Sequence, residues 1–407
     1  MDRNEIYDNI SLEMRKDDGY IEGVAQSRRI HSLSQEQRDA LDAIDAFMKS
    51  SAKRFVLGGV AGSGKSTIIP YIQHLYNNVQ VCAYTGKAVT VLLRKGIIGA
   101  CTLHSFLYKA TTERLPNGET TIVFTPIPDI MFGDVSLVVV DEASMVNKEI
   151  YDLLSSKHFK VIYIGDHFQL PPVKDTFNIM QNPDFKMETV LRQNEQNPII
   201  MLATKARLGE PIPYGKFGDS YHTMNLREQD LVKFNQVITW TNAAKDYFNE
   251  SIRRTLGYNN NEPTAGDKMI VKVNCKPKNL YNGQIVYIHG MPTLCQNQKF
   301  WQVRLFDELA HDDAFVMAST DDTINCVASV HLPKEELDKL RMEPRKKGGV
   351  VVHLDWGYAI TCHASQGSSW KRVAVVDEKR HKNFDEFNRW MYTAITRAEE
   401  MVGIYTI

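Results

Sequence analysis

No stretch of this 407-residue sequence approaches the roughly 18 consecutive apolar residues that a membrane helix needs, which argues against a membrane role. The first twenty residues carry charges throughout and lack the apolar segment and cleavage site of a secretory signal. Cysteine is scarce. The six (Cys82, Cys101, Cys275, Cys295, Cys326 and Cys362) are scattered, and no pair has the close spacing of a zinc site or redox motif. They read as reduced, mostly buried thiols of a cytoplasmic protein. A strong charge of either sign is also missing. With a net charge of −1 the molecule as a whole does not advertise nucleic-acid binding, so any such contact must come from a local groove. Length supplies the remaining constraint, because cores stop growing at roughly 250–300 residues. Two large domains and something smaller are expected.

What is present begins with a phosphate site. Phe55–Leu57 is a short apolar run that leads into Gly58-Gly59-Val60-Ala61-Gly62-Ser63-Gly64-Lys65-Ser66-Thr67, with a helix predicted through residues 68–76. From Gly59 to Ser66 the chain fits G-x-x-x-x-G-K-[ST] in its strand-loop-helix context. Gly59, Gly62 and Gly64 let successive N–H groups face phosphates at a helix N-terminus, where the dipole favours anions. Lys65 reaches the β and γ phosphates in such a loop, Ser66 ligates Mg²⁺, and Thr67 completes the ATP-binding set.

A P-loop needs a carboxylate at the end of a buried strand. Residues 136–140 form a continuous β-branched run of the interior parallel type, ending in Asp141 and Glu142. Asp141 is the expected second partner of Mg²⁺ and Glu142 the base that polarises water. A third strand, 161–164, runs into Gly165-Asp166-His167-Phe168-Gln169, where the Gln169 amide is suited to sensing a γ-phosphate without titrating.

Together these segments resemble the motifs of superfamily 1 DNA helicases, in the branch that includes RecD and Dda. Asp141-Glu142-Ala143-Ser144-Met145 and Gly165-Asp166-His167-Phe168-Gln169-Leu170-Pro171-Pro172-Val173 are similar to its motifs II and III, and the resemblance runs from about Leu33 to the C-terminus. It implies an α/β fold of two RecA-like P-loop NTPase lobes, with a β-hairpin insertion in the first and a small SH3-like β insertion in the second. Leu33-Ser34-Gln35-Glu36-Gln37 resembles the adenine-reading Q-motif, which points to Gln37, although a glutamine at a helix start is commonly a cap. Ala83-Tyr84-Thr85-Gly86-Lys87-Ala88 takes the place of motif Ia, implying DNA contacts by Tyr84, Thr85 and Lys87. Tyr84 stands where the family commonly has proline, so it either stacks on a base or packs in the core. Thr102, His104 and Ser105 are similar to a phosphate-touching segment. The β-prone runs around Pro116-Asn117-Gly118 predict a hairpin over about 107–126, which the resemblance makes the pin that splits a duplex.

Later in the chain, Arg192 resembles motif IV and Arg397 motif VI, which implies two arginines that bring positive charge to the γ-phosphate in trans. Residues 357–368 resemble motif V, placing Thr361, His363 and Ser365 toward DNA and Gln366 and Gly367 toward the nucleotide. Residues 234–241 read as a strand, with Thr241 and Asn242 starting a helix toward DNA. Between about 257 and 349, β-prone runs at 268–273, 284–288, 301–306 and 325–330 predict a small barrel or sandwich. The expected organisation is an extension over 1–31, lobe 1 over 32–190, lobe 2 over 191–256 and 350–407, and the insertion over 257–349.

These readings predict an ATP-dependent helicase using ATP and Mg²⁺ on single-stranded and forked duplex DNA. The resemblance implies 5′ to 3′ polarity, a bacterial or phage-infected cytoplasm, and replication or recombination proteins as further partners. An ATP-gated DNA-binding switch or translocase that separates no strands is the alternative.

Overall fold

The structure, a computed structural model, describes residues 3, 6–8, 10, 33–114, 120–172, 177–190, 197–258, 262–272, 280, 282–294, 301–307, 324–328, 351–379 and 383–407. The expected hairpin turn 116–118, Arg192, Cys275 and Cys295 lie outside these residues. The chain divides into two compact units. The first comprises Met1–Tyr84, Ala88–Lys109 and Pro126–Gln193, and the second Thr85–Lys87, Ala110–Thr125 and Asn194–Ile407.

In the first unit, helix α1 (Gln35–Lys49) starts at Ser34, whose side chain accepts from the Gln37 N–H while the Gln37 side chain accepts from the Ser34 N–H. This reciprocal cap satisfies two amide groups that the first helical turn cannot. Ala40, Leu41, Ile44 and Phe47 recur at helical spacing and form the buried face. They pack on a six-stranded sheet of order β3-β2-β6-β7-β1-β8, made of β1 (Arg54–Gly59), β2 (Val79–Ala83), β3 (Cys101–Thr102), β6 (Leu137–Asp141), β7 (Lys160–Gly165) and β8 (Phe185–Met187). Every pairing in it is parallel. Leu137, Val138, Val139 and Val140 are fully buried, as a strand covered on both faces demands.

The chain's beginning contributes to this core. Tyr7 and Ile10 are buried in it, the Tyr7 hydroxyl donates to Asp42 Oδ1 at 2.9 Å, Arg3 pairs with Asp42 and Asp45, and Arg38 pairs with Asp8. The described part of the extension is therefore a docked cover on α1. Cys82 and Cys101 occupy register positions on β2 and β3 with their sulfurs 3.8 Å apart, a proximity in space that linear spacing did not reveal.

Hairpin strands β4 (Tyr108–Arg114) and β5 (Thr120–Pro126) pair as expected. Compactness groups most of the hairpin, Ala110–Thr125, with the second unit and not with the first, where the sequence reading put it.

The second unit has its own sheet, β17-β11-β18-β19-β10-β9, built from β9 (Gly215–Phe217), β10 (Ser220–Thr223), β11 (Gln236–Thr239), β17 (Ala359–Thr361), β18 (Trp370–Asp377) and β19 (Ala398–Thr406). All its pairings are parallel except that of the edge strand β9. A closed five-stranded barrel interrupts it, with strands β12 (Lys268–Val271), β13 (Ile285–Leu294), β14 (Trp301–Asp307), β15 (Ile324–Ala328) and β16 (Val351–Trp356). The expected boundary at residue 350 is corrected here. Residues 351–356 pair with β12 and β15 and close the barrel, so the second sheet resumes only after Trp356.

Buried polar groups fasten the barrel root to the sheet. Arg253, on the helix Asn242–Thr255, donates from Nε and Nη2 to both Asp267 oxygens at 3.0 Å and stacks 3.8 Å from the Trp356 ring centroid. Tyr358 adds a hydrogen bond to Asp267 at 3.0 Å, and its hydroxyl accepts from the Lys268 N–H. Lys268 Nζ continues to Gln236 Oε1, whose amide donates to the Gly357 and Tyr358 carbonyls.

Asp267→Ala would strand the buried Arg253 charge, and breaking one partner of such a pair costs about 3–5 kcal/mol. Chemical denaturation should show the second unit losing stability on that scale; a loss below about 1 kcal/mol would mean that Arg253 finds another partner.

Candidate active site and nucleic-acid interface

Adjacent parallel strands β6, β7 and β1 deliver their carboxyl ends to one edge of the first sheet. From β1 the chain enters the glycine loop, where Gly62 and Gly64 have φ of 83° and 80°, conformations that residues with a Cβ rarely adopt. At Gly59 the constraint is space, since a Cβ would lie 2.7 Å from Ser63 Oγ and 2.8 Å from Lys65 Cγ. Lys65–Thr67 then forms a short 3₁₀ turn leading into Ile69–Leu75, in place of the single helix predicted over 68–76. Lys65 folds back on its own loop, donating to the Gly59 and Val60 carbonyls at 2.7 and 2.8 Å. Thr67 is exposed.

Asp141 ends β6 and meets this loop. Burial raises its pKa, an effect that Lys95, the Glu142 N–H, Lys65 and the nearby Ser66 hydroxyl only partly offset. The Ser66 hydroxyl and Asp141 carboxylate lie near enough to influence each other, and these are the two side chains expected at Mg²⁺. Such an ion takes few protein ligands and completes its shell with water and phosphate oxygens, which suits a two-residue site. Glu142 follows in the left-handed region, φ 55° and ψ 41°. Strain of about 1–3 kcal/mol at a non-glycine residue persists where the surroundings impose it, commonly at functional positions.

The third segment is organised by Asp166, a residue whose role the sequence reading missed. It is buried and accepts from the Phe168 N–H at 3.0 Å and from Gln169 Nε2 at 3.4 Å, which orients the Gln169 amide. Gln169 Oε1 is left buried without a partner, as are Ser63 Oγ in the glycine loop and Ser144 Oγ after Glu142. Leaving such groups unmade costs about 1–3 kcal/mol each, so three of them in the three site-forming segments fit a polar ligand there. Gly165 permits the close packing, since a Cβ would lie about 3.0–3.2 Å from Met180 Sδ and the Ser144 and Ala143 amides.

Gln37 is buried with both amide atoms engaged, Oε1 in the helix cap and Nε2 donating to the Gly64 carbonyl at 3.2 Å. It braces the glycine loop, and a contact to a base would replace one of these bonds.

The residues expected to meet DNA divide into two groups. Tyr84 packs edge-on against His104 at 5.3 Å, and His104 stacks on Tyr108 at 6.1 Å, whose hydroxyl donates to Glu149. This aromatic row includes Tyr108, which the motif comparison did not single out. Thr102 and Ser105 serve the local cap: Thr102 Oγ1 accepts from the Ser105 N–H, and Ser105 Oγ donates to the Thr102 carbonyl. Thr85 leads into the helix Gly86–Arg94, and Lys87 on that helix is buried.

In the second unit Thr241 caps its helix by accepting from the Ala244 N–H, and Asn242 is exposed. Thr361 ends β17, and His363 lies half-buried in the following 3₁₀ turn. Ser365, expected toward DNA, is instead fully buried and donates to the Cys362 carbonyl at 2.6 Å, so it shapes the turn. Gly367 follows with φ 71°. Arg397 is buried, donating to the Thr393 and Ser368 carbonyls at 3.1 Å and to Thr396 Oγ1 at 3.2 Å, which ties motif V to motif VI.

Comparison with known proteins places these motifs in context. Residues 32–220 match the AAA domain family, and residues 357–405 match the UvrD-like helicase C-terminal domain. The chain is similar to the ATP-dependent RecD2 DNA helicase of Deinococcus radiodurans, 25% identical over 90% of this chain and 48% of that protein, so it spans about half the length of that relative. It is also similar to the ATP-dependent DNA helicase dda of Enterobacteria phage T4, 24% identical over 63% of this chain and 67% of that one. Among solved structures, Bacteroides Pif1 bound to ssDNA shares the fold with a TM-score of 0.55 at 19% identity, covering 91% of this chain and 92% of that one.

Cys362 offers a check on the buried motif V turn. Burial pushes its thiol up to about 12, so at pH 8 it stays protonated and should resist iodoacetamide in the folded protein while reacting in urea. Peptide mapping that finds rapid native alkylation would place the turn at the surface.

Proposed function

We propose that this chain, a member of the RecD/Dda/Pif1-like superfamily 1 helicases, is an ATP-driven motor that moves along single-stranded DNA and separates duplex strands, with 5′ to 3′ polarity. The observation that carries the reading is that the glycine loop bearing Lys65 and Ser66 and the strand end bearing Asp141 leave the same edge of one parallel sheet, together with a second sheet of parallel RecA-like character. One sheet alone binds nucleotide, but directed motion needs a second body whose grip depends on nucleotide state.

In the proposed chemistry Lys65 exchanges the Gly59 and Val60 carbonyls for phosphate oxygens. Ser66 and Asp141 would hold Mg²⁺, which when bound neutralises charge on the β and γ phosphates. Glu142 accepts the proton of the attacking water, and Gln169 accepts a hydrogen bond from that water at its unpartnered Oε1, which orients it. Arg397 supplies positive charge to the leaving phosphate, giving up acceptors within its own unit to do so. Arg192 is proposed for the same task from its resemblance to motif IV alone. Exposed or half-buried groups, Tyr84, His104, Asn242, Thr361 and His363, are the proposed DNA contacts, and the β4/β5 hairpin is the proposed pin. A pin supports strand separation over a translocase that leaves the duplex closed.

Lys65→Ala should abolish ATP turnover and unwinding while DNA binding stays measurable; unchanged turnover refutes the phosphate site. Losing Arg397 should reduce hydrolysis by about 10³-fold, as loss of an arginine finger does. Intact hydrolysis moves that role elsewhere. Forked duplexes with single 5′ or 3′ tails test polarity: release from the 5′-tailed substrate is expected, and ATP turnover without strand release would favour a translocase or switch.

A further inference from the structure

We infer that Glu36 is a positioning residue that couples the nucleotide site to the chain leaving the first unit. This rests on the proposed reading and adds to it how the phosphate loop is connected to the rest of the motor. The Glu36 carboxylate accepts from two consecutive backbone N–H groups, Glu188 at 2.8 Å and Thr189 at 3.0 Å. These residues follow directly on β8, and the first unit ends at Gln193. Glu36 thus holds the last described stretch of the first unit before the chain passes on.

The same stretch is bonded to the other end of the glycine loop. Gly59 and Met187 are register partners of β1 and β8, and the Val60 N–H donates to the Met187 carbonyl at 3.0 Å. On the far side of the loop, the Gly64 carbonyl accepts from Gln37, the residue after Glu36. A closed circuit results: Val60 to Met187, on to Glu188 and Thr189, across to Glu36, along α1 to Gln37, and back to Gly64. The glycine loop spans the gap between Val60 and Gly64. If Lys65 leaves the Gly59 and Val60 carbonyls for a phosphate, any shift at Val60 passes to Met187, and Glu36 fixes what the next two residues do.

The chemistry of the clamp suits this role. A carboxylate receiving two amide donors makes charge-assisted bonds that are shorter and stronger than neutral ones. Its negative charge also lies in the first turn of α1, where the helix dipole stabilises it. A side chain with no link to the loop would hold position only; this one shares a helix turn with the residue that braces the loop.

The test uses the full chain and its Glu36→Ala and Glu36→Gln variants, read by ATP kcat and KM with single-stranded DNA and by base pairs separated per ATP on a forked duplex. Glu36→Ala should keep KM within about 2-fold and kcat within about 3-fold, while base pairs per ATP fall about 5-fold or more, the lower end of typical coupling between sites. Glu36→Gln, which keeps one acceptor oxygen, should fall between. An unchanged yield per ATP, or hydrolysis and separation falling in parallel, overturns the inference. Should Glu36→Ala fail to fold, amide exchange in the unsubstituted chain decides: ADP with aluminium fluoride should change protection at Glu188 and Thr189, and no change overturns it. Failure of the unsubstituted chain to separate strands sinks the helicase reading itself, and is seen without any substitution.

Discussion

A parallel sheet aligns its strand ends, and the chemistry proposed for this protein depends on that alignment. In the first sheet β6, β7 and β1 are consecutive neighbours in register, Val140 with Tyr163 and Gly58 with Gly165. Three segments distant in sequence therefore leave the sheet side by side. The geometry is tolerant of little at two points. Gly58 and Gly165 lie where a Cβ would press on Pro183 at 2.5 Å and on Met180 Sδ at 3.0 Å. Small residues at these strand ends let the glycine loop, the Asp141-Glu142 turn and the Asp166-organised turn approach closely enough to share one ligand. The interior valines and isoleucines make the sheet stable, and the strand ends carry the polar groups whose partners that core cannot supply.

The second unit solves a different problem, which is to carry a barrel on a sheet without letting the join soften. It uses a buried ion pair, Arg253 with Asp267, surrounded by Tyr358, Lys268 and Gln236. Burying such charges is expensive and is offset only when the geometry is good and the remaining donors and acceptors are filled. Here both Asp267 oxygens are bonded, and Arg253 also donates to the Glu262 carbonyl at 2.8 Å. Burial and the Asp267 charge push the Tyr358 pKa well above its ordinary value, keeping that phenol protonated and donating. An apolar join of the same volume could be as stable, but it would define the angle of the barrel root less sharply. Directional bonds suit a module whose placement matters.

Contiguous motifs were legible in the sequence because backbone requirements fix them locally. Glycines at 59, 62 and 64, the apolar run before Asp141 and the hairpin pattern over 107–126 each state their structure within a few residues. What was not legible depends on contacts across long separations. Asp166 could have been noticed as an acid beside a sensing amide, yet its burial shows only in three dimensions. Glu36 meets residues more than 150 positions away, and Tyr7 and Ile10 join the core of a helix that begins at Gln35. The barrel shows the same limit: four of its strands were visible as β-prone runs, whereas the fifth follows a long interval and was assigned to the neighbouring sheet. Ser365 carried the right motif but an inward orientation, because a hydroxyl two residues after His363 also suits bonding back to Cys362.

Local capping chemistry narrows how the two units could hold a nucleic acid under the proposed reading. Helix starts favour anions, but at the start of the helix Asn242–Thr255 in the second unit that place is already taken. Glu378 accepts from the Trp240 and Thr241 N–H groups and from the Thr241 hydroxyl at 2.7 Å, so a phosphate approaching that turn would meet a carboxylate. Thr241 is therefore better suited to fixing the turn, with exposed Asn242 as the group that reaches outward. Burial lowers the His363 pKa more than Glu386 raises it, which disfavours the charged imidazolium in the unliganded turn. Contacts made by the uncharged Asn242 and Thr361 release no counterions, so they would hold a strand by hydrogen bonding with little dependence on salt. The aromatic row of Tyr84, His104 and Tyr108 in the first unit offers stacking instead, which is equally indifferent to sequence. Two chemically different grips meet a basic requirement of a motor, because conditions that weaken one need not weaken the other in the same step.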